Sequence, residues 1–167
     1  MIFPIIFLLL TFSCTHRYPF GDKELSRAEA PGFLRDQVPE DSSISEVEFF
    51  RKVTPARTTF EIKYELDGRE TSVSFSEDGR FLEREQDISF SSLRPELKRK
   101  IRAYLKKRFG KSRIHETELR TEETNRKLVD VEVLHGSGTG IVEISFTLDG
   151  LYAGEKTEEM DTPETLN

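Results

Sequence analysis

The sequence has one cysteine, no tryptophan and only one segment that is apolar enough to enter a bilayer. A single cysteine excludes a small secreted fold stabilised by disulfide bonds. The single apolar segment excludes a polytopic membrane protein, because each helical span needs about 20 apolar residues. Thirteen phenylalanines argue against a wholly disordered chain. A length of 167 residues suits one ordinary domain, or two small repeats that share one core.

The apolar segment opens the chain, since no residue from Met1 to Ser13 carries a charge. It is too short to cross a bilayer as a helix but fits the apolar region of a secretory signal peptide. Ser13 directly precedes Cys14, which resembles the lipobox of bacterial lipoproteins, where the cysteine is acylated and becomes the mature N-terminus. Acylation would also consume the only thiol of a protein exported to an oxidising compartment. A free thiol after an ordinary signal peptide is the alternative.

The remaining chain divides by composition. We expect a signal peptide over 1–13, a tether over 14–24 and an acidic disordered tail over 158–167. The range 25–157 is expected to be one domain with two repeats, about 25–87 and 88–157. Thr15 stands where an Asp retains enterobacterial lipoproteins in the inner membrane, so the expected location is the cell envelope, on the outer membrane facing the periplasm.

Strict alternation of apolar and polar residues predicts β-strands in both repeats. Phe60, Ile62 and Tyr64 alternate with charged residues, and the Asp-Gly pair at 67–68 then favours a tight turn. The same pattern returns about 70 residues later, a period that is too long for a solenoid repeat. A duplicated half-domain explains this period.

An apolar stripe with a spacing of four residues predicts a helix before the second set of strands. Its members are Leu93, Leu97, Ile101, Leu105 and Phe109. The corresponding stripe before the first set is interrupted at Pro31-Gly32 and consists of Leu25, Ala28, Leu34 and Val38. Each repeat is therefore expected to contain one helix followed by four strands.

Several of these features together resemble the PepSY-like family of bacterial envelope proteins, also described as β-lactamase-inhibitor-like. They are the paired strand-Asp-Gly-strand hairpins and the motifs Leu93-x-Pro95-x-Leu97, Phe109-Gly110 and Glu85-x-x-Ile88. The resemblance implies an α+β fold in which tandem α-β-β-β-β repeats form one antiparallel sheet with helices on one face. It also implies a polar opposite face, which in the inhibitor grips a partner enzyme. Because this chain lacks the inhibitor's domain disulfides and tryptophan, inhibition of a β-lactamase is not expected.

No pattern of catalytic or metal-binding residues is found in the sequence. The three histidines, His16, His115 and His135, lack metal-ligand spacing, and no Gly-x-Ser-x-Gly motif follows a strand. The glycine-rich segment 136–140 lacks the Lys-Ser/Thr of a phosphate-binding loop and leads into a strand. We therefore expect a protein without enzymatic activity, cofactor or metal.

The range 94–113 contains ten basic residues and Glu96 as its only acidic one. This basic helix, represented by Lys98, Arg102 and Lys106, predicts an alternative function at the membrane surface or on lipopolysaccharide. Nucleic acid is not an expected partner, because the chain has an export signal and this helix face has no aromatic residues.

The two-residue period of the strands also predicts a binding face. If Ile62, Val131 and Ile144 lie under the helices, the residues between them lie on the opposite, open face. That face is mainly acidic and is expected to meet a basic or polar segment of an envelope protein or peptide; an ordinary solvated sheet face is the alternative. The candidate binding residues are Glu61, Lys63, Glu65, Asp130, Glu132 and Glu143.

We predict that the mature protein begins at an acylated Cys14. Mass spectrometry of the native protein should find the lipid on this residue, and Cys14→Ala should abolish processing and membrane retention. An unmodified N-terminus at another residue would contradict the prediction, as would a Cys14→Ala variant that is processed normally.

Overall fold

A computed structural model describes residues 21–38, 40, 43–136 and 140–157. They form one nine-stranded sheet in which every neighbouring pair of strands is antiparallel and the strand order follows the chain. The elements are β1 (Gly21–Leu25), α1 (Gly32–Arg35), β2 (Ile44–Val53), β3 (Thr58–Leu66), β4 (Arg69–Ser76), β5 (Phe81–Gln86), α2 (Pro95–Phe109), β6 (Ser112–Glu122), β7 (Lys127–His135), β8 (Gly140–Thr147) and β9 (Tyr152–Thr157). Neither α1 nor α2 has the length and apolarity of a transmembrane helix.

Helix α2 forms over the predicted stripe from Leu97 to Phe109, but Leu93 lies before it with an extended backbone, and the range 94–113 of the predicted basic helix also includes the start of β6. Pro95 occupies the first turn, and Gly110 ends the helix with φ of 68°, a conformation that glycine adopts readily. The buried side of the helix consists of Leu97, Ile101 and Leu105. It packs against the buried residues Val129, Val131, Val133, Val142, Ile144 and Phe146 of β7 and β8. This cluster is the core of the second half of the sheet.

The first half has a core of its own beneath the short helix α1. Leu34 of α1 is fully buried and packs with Phe49, Ile62, Tyr64 and Phe75 from β2, β3 and β4. Both helices therefore cover the apolar residues of the strands, which are Ile62 in the first half and Val131 and Ile144 in the second. The prediction of one antiparallel sheet with a covered apolar face is confirmed.

The first repeat differs from its predicted form. The protein is mostly β, and the predicted pattern of one helix followed by four strands, twice over, is not shown. Leu25, assigned to a helix, pairs with Phe49 as the end of β1. Pro31 has an extended backbone, with ψ of 149°, so α1 begins only at Gly32 and has four residues. Because proline disfavours a helical conformation of the preceding residue, a helix cannot continue from residue 25 through Pro31.

The predicted domain limits can be compared with the structure at one end. The tether was expected to extend to residue 24, but Gly21–Leu25 form β1, and Gly21 pairs with Val53. The sheet therefore begins within that range. The signal peptide over 1–13, most of the tether and the tail over 158–167 lie outside the described residues.

Ile101→Ala should lower the free energy of unfolding by about 2–5 kcal/mol, because Ile101 is fully buried in the centre of the α2 stripe. Denaturation by urea measures this change. Arg102→Ala, at the exposed neighbouring position, is the control and should change stability little. Equal stability of Ile101→Ala and the wild type would show that the stripe does not face a core.

Candidate functional site

The sheet face opposite the two helices, called the polar face here, is fixed by strand register. Directly paired residues of antiparallel strands share a face. Glu61 pairs with Ser74, Ser74 with Glu83, and Glu83 with Glu122, so one polar row crosses β3 to β6. In the same way, the charged residues on this face are Asp22, Glu24, Glu48, Lys52, Glu61, Lys63, Glu65, Glu70, Glu83, Glu85, Asp87, Glu116, Glu118, Arg120, Glu122, Asp130, Glu132, Glu143 and Lys156. Acidic residues clearly predominate.

A buried ion pair organises the second half of the polar face. Arg120 Nε lies 2.6 Å from Asp130 Oδ2, and Arg120 Nη2 donates to Ser145 Oγ at 3.0 Å. Asp130 is only 1% exposed. The expectation that Asp130 lies on an open face is therefore not met, because the long Arg120 side chain from the neighbouring strand covers it. Asp130 supports the face and is not available to a partner.

Two other predicted binding residues form ion pairs with lysines of neighbouring strands. Glu61 is 3% exposed and its carboxylate lies 2.8 Å from Lys52 Nζ on β2, so it too is buried contrary to expectation. Glu143 is mostly buried and lies 3.1 Å from Lys156 Nζ on β9. Glu132 is directly opposite Glu143 in the register of β7 and β8.

Lys63 and Glu65 line a pocket of about 320 Å³ near the end of β3. Lys63 Nζ lies 3.3 Å from Glu70 Oε1 and 5.8 Å from the centre of the Phe50 ring. Burial alone would lower the pKa of Lys63, but the nearby carboxylates, Glu61 first, raise it overall. The lysine is therefore held as a cation among acids.

The carboxylates at the junction of the two halves form the most unusual part of the polar face. Asp87 follows β5 and forms an isolated bridge with Glu118 of β6, and Glu116 lies two residues before Glu118. One oxygen from each of these three carboxylates lies within 4.8 Å of the others. We call these residues, together with the neighbouring Glu85, the acidic seam. Within the described part of the chain, none of these four residues forms one of the ion pairs of the polar face.

Burial and mutual repulsion raise the pKa of every carboxyl group in the acidic seam. The pKa of Glu118 rises to about 8, first because of burial and then because of Glu85, Glu116 and Asp87. The pKa values of Glu85, Asp87 and Glu116 are also raised, again mainly by burial. The ionised forms of these four carboxyl groups are therefore disfavoured.

Such a group of carboxylates can hold a cationic side chain or contribute oxygen ligands to a divalent cation. Ca²⁺ takes six to eight oxygens in typical sites, so the seam would supply only part of its shell. This cluster has no contiguous motif in the sequence, and the sequence patterns therefore did not reveal it. The alternation of Glu116 and Glu118 along β6 was a usable signal, but Asp87 joins them only through the strand register.

The basic helix residues lie on the other side of the sheet. Lys98 Nζ donates to the Ser91 carbonyl oxygen at 2.8 Å, and the Arg102 guanidinium lies 5.2 Å from the centre of the Phe90 ring. Lys106 is exposed on the same flank of α2. The candidate binding residues and the basic helix are thus two separate surfaces, one on each face.

The histidines contribute to neither surface in a way that indicates metal binding. His115 is exposed on β6, and the His135 ring stacks on Phe109 with 5.0 Å between ring centres. His16 lies outside the described residues.

Comparison with known proteins shows the fold. No protein-family model and no curated protein sequence matches the chain. A DUF2874 family protein from Bacteroides uniformis matches with a TM-score of 0.59 at 15% identity, over 77% of this chain and 89% of that one. A BLIP-like protein from Bacteroides fragilis matches with a TM-score of 0.51 at 19% identity, over 72% and 81%. A candidate periplasmic protein from Bacteroides eggerthii matches with a TM-score of 0.56 at 15% identity, over 77% of this chain and 88% of that one.

These structural similarities test the fold that the family resemblance implied. The chain has a BLIP-like fold, as the inhibitor-like part of the resemblance implied. Membership of the PepSY-like family and acylation of the chain stay predictions.

The raised pKa of Glu118 predicts a stability that falls as pH rises. Between its ordinary value of 4.5 and about 8, the folded protein retains a proton that the unfolded chain has released. Raising the pH through this window therefore lowers the free energy of unfolding. Urea denaturation at a series of pH values measures the slope, and Glu118→Gln should flatten it.

Glu77→Gln, in the exposed turn between β4 and β5, is the matched control and should leave the slope unchanged. If Glu118→Gln kept the wild-type slope, the carboxyl group of Glu118 would not be buried as described.

Proposed function

We propose that the protein is a non-enzymatic, lipid-anchored binding module of the bacterial cell envelope, and that its polar face receives a basic segment of a protein or peptide. The observation that carries this proposal is the acidic seam. It places four carboxyl groups together at the centre of the sheet without a cation of their own among the described residues.

A bound cation would change the free energy of ionisation of the seam carboxyl groups. Each raised pKa means that the ionised carboxylate is disfavoured in the unbound protein. A lysine or arginine placed among these groups would favour ionisation and lower their pKa values. The unfavourable repulsion in the free protein would thereby become attraction in the complex.

This mechanism links binding of a basic ligand to the release of protons. Near pH 7 the Glu118 carboxyl group is mainly protonated, since its pKa is about 8. A basic ligand that lowers this pKa must displace the proton into solvent. Calorimetric titration in buffers with different ionisation enthalpies should therefore detect proton release on binding, which an interaction at the surface carboxylates alone would not produce.

The proposed location has separate support. The neighbours in fold include a BLIP-like protein and a candidate periplasmic protein. The apolar start of the chain and Cys14 have the pattern of an exported lipoprotein. An outer-membrane anchor facing the periplasm fits both observations, and a periplasmic ligand would reach the polar face directly.

A fluorescent peptide rich in lysine and arginine tests the binding proposal by anisotropy. Glu116→Gln combined with Glu118→Gln should weaken its binding about tenfold, which corresponds to about 1.4 kcal/mol. The matched control combines Glu40→Gln with Glu77→Gln, which replaces the same number of carboxyl groups at two exposed positions outside the seam. The control should bind nearly as well as the wild type.

Two results would count against the proposal. Equal weakening by the seam variant and the control would show that net charge, and not the seam, attracts the peptide. Equal binding of basic and acidic peptides by the wild type would show that the polar face has no preference for cations. Thermal unfolding of each variant separates these results from misfolding, since the seam variant should be at least as stable as the wild type.

A further inference from the structure

The turn between β8 and β9 exposes apolar side chains. Leu148 is 39% exposed, Leu151 64% and Tyr152 50%, and these are the exposed large hydrophobic residues of the described part of the chain. Isolated exposed leucines are common on protein surfaces, but three large apolar residues within five positions form a patch. The polar-face interaction does not use this turn.

Basic residues from the start of α2 surround the turn. Arg94 Nη2 donates to the Leu148 carbonyl oxygen at 2.6 Å, and Lys100 Nζ donates to the Asp149 carbonyl oxygen at 2.7 Å. A Cβ atom on Gly150 would lie 2.8 Å from Lys100 Cδ, so glycine permits this close approach. The patch and the basic helix therefore form one continuous surface.

One cation beside the turn is free to bind another molecule. Arg99 is exposed, and within the described residues it has neither an ion pair nor a hydrogen bond. It lies next to Lys100, which holds the turn, and on the side of α2 that faces solvent. Cations bordering exposed apolar side chains are typical of surfaces that bind at a membrane interface.

The direction of the strands places the start of β1 at the same end of the sheet as the turn. In an antiparallel sheet whose order follows the chain, β1 and β9 run in the same direction. Gly21 at the start of β1 and the turn before Tyr152 are therefore at the same end of the strands, although eight strand spacings, about 38 Å, separate β1 from β9 across the sheet. Cys14 precedes Gly21 by seven residues, which span at most about 25 Å when extended. A lipid on Cys14 would turn this end of the strands towards the bilayer.

We propose that the turn and the start of α2 bind the surface of an anionic phospholipid bilayer. Leu148, Leu151 and Tyr152 enter the interface, where leucine side chains gain from burial and tyrosine is typically enriched. Arg94, Arg99 and Lys100 lie at the level of the phosphates, where each cation is attracted to the anionic headgroups. The polar face, on the other side of the sheet, then points away from the bilayer.

Tryptophan fluorescence of the full chain tests this inference, because the natural sequence contains no tryptophan. Leu151→Trp places one probe in the turn, and Arg69→Trp places the control at the opposite end of the strands, in the hairpin between β3 and β4. With vesicles of phosphatidylcholine and phosphatidylglycerol in equal parts, the emission of the Leu151→Trp probe should shift to shorter wavelengths and be quenched by brominated lipids. The Arg69→Trp probe should show neither change.

Two charge-reversing substitutions in α2, compared with each other, test the contribution of the cations. Adding Arg99→Glu to the Leu151→Trp chain should reduce the shift and its quenching. Lys107→Glu makes the same change of charge about 12 Å further along the helix and should reduce them less. Raising the salt concentration should weaken the shift in both.

Several results would overturn the inference. They are an unshifted Leu151→Trp probe, an equal shift of both probes, and an equal shift with phosphatidylcholine alone. A shift that appears without vesicles and grows with protein concentration would show that a second copy of the chain covers the turn instead.

Discussion

The whole structure depends on the packing of helices against one face of a single-layer sheet. Ile101 lies at the centre of α2 and is fully buried, as are Val131 and Ile144 beneath the helix. Because side chains alternate between faces, this packing also decides where every neighbouring residue on the strands lies. Charged residues between the core positions are forced together on the polar face. The acidic seam is thus a consequence of the same alternation that builds the core.

The carboxylates of the polar face have two different physical roles. Asp130 is buried with Arg120, and removing one partner of such a pair typically costs about 3–5 kcal/mol because the other charge is left unpaired. Glu118 is opposed by other acids, so neutralising it relieves repulsion. The first arrangement supports the sheet, whereas ionisation in the second would become favourable only with a cation bound nearby. This contrast, more than total charge, distinguishes a candidate binding residue from a structural one.

Sequence patterns predict what depends on neighbours along the chain. Alternation located the strands around Ile62 and Ile144, and a spacing of four located α2. The patterns could not reveal what depends on neighbouring strands. Burial of Asp130 requires Arg120 on β6, and the seam requires the pairing of Asp87 with Glu118. The strand β1 was missed because its five residues lack alternation and form only through pairing with β2.

The sheet also separates charge in a way that makes two interactions compatible. A bilayer that attracts Arg94 and Arg99 repels the carboxylates on the opposite face, so a bound domain has one preferred orientation. The helix layer between them is about 10 Å thick, and salt screens the exposed charges in the surrounding solvent with a Debye length of about 8 Å at physiological ionic strength. The negative potential of an anionic bilayer is therefore weaker at the seam than at Arg94 and Arg99. The two proposed interactions would use opposite faces of the sheet, so neither partner would cover the surface that binds the other.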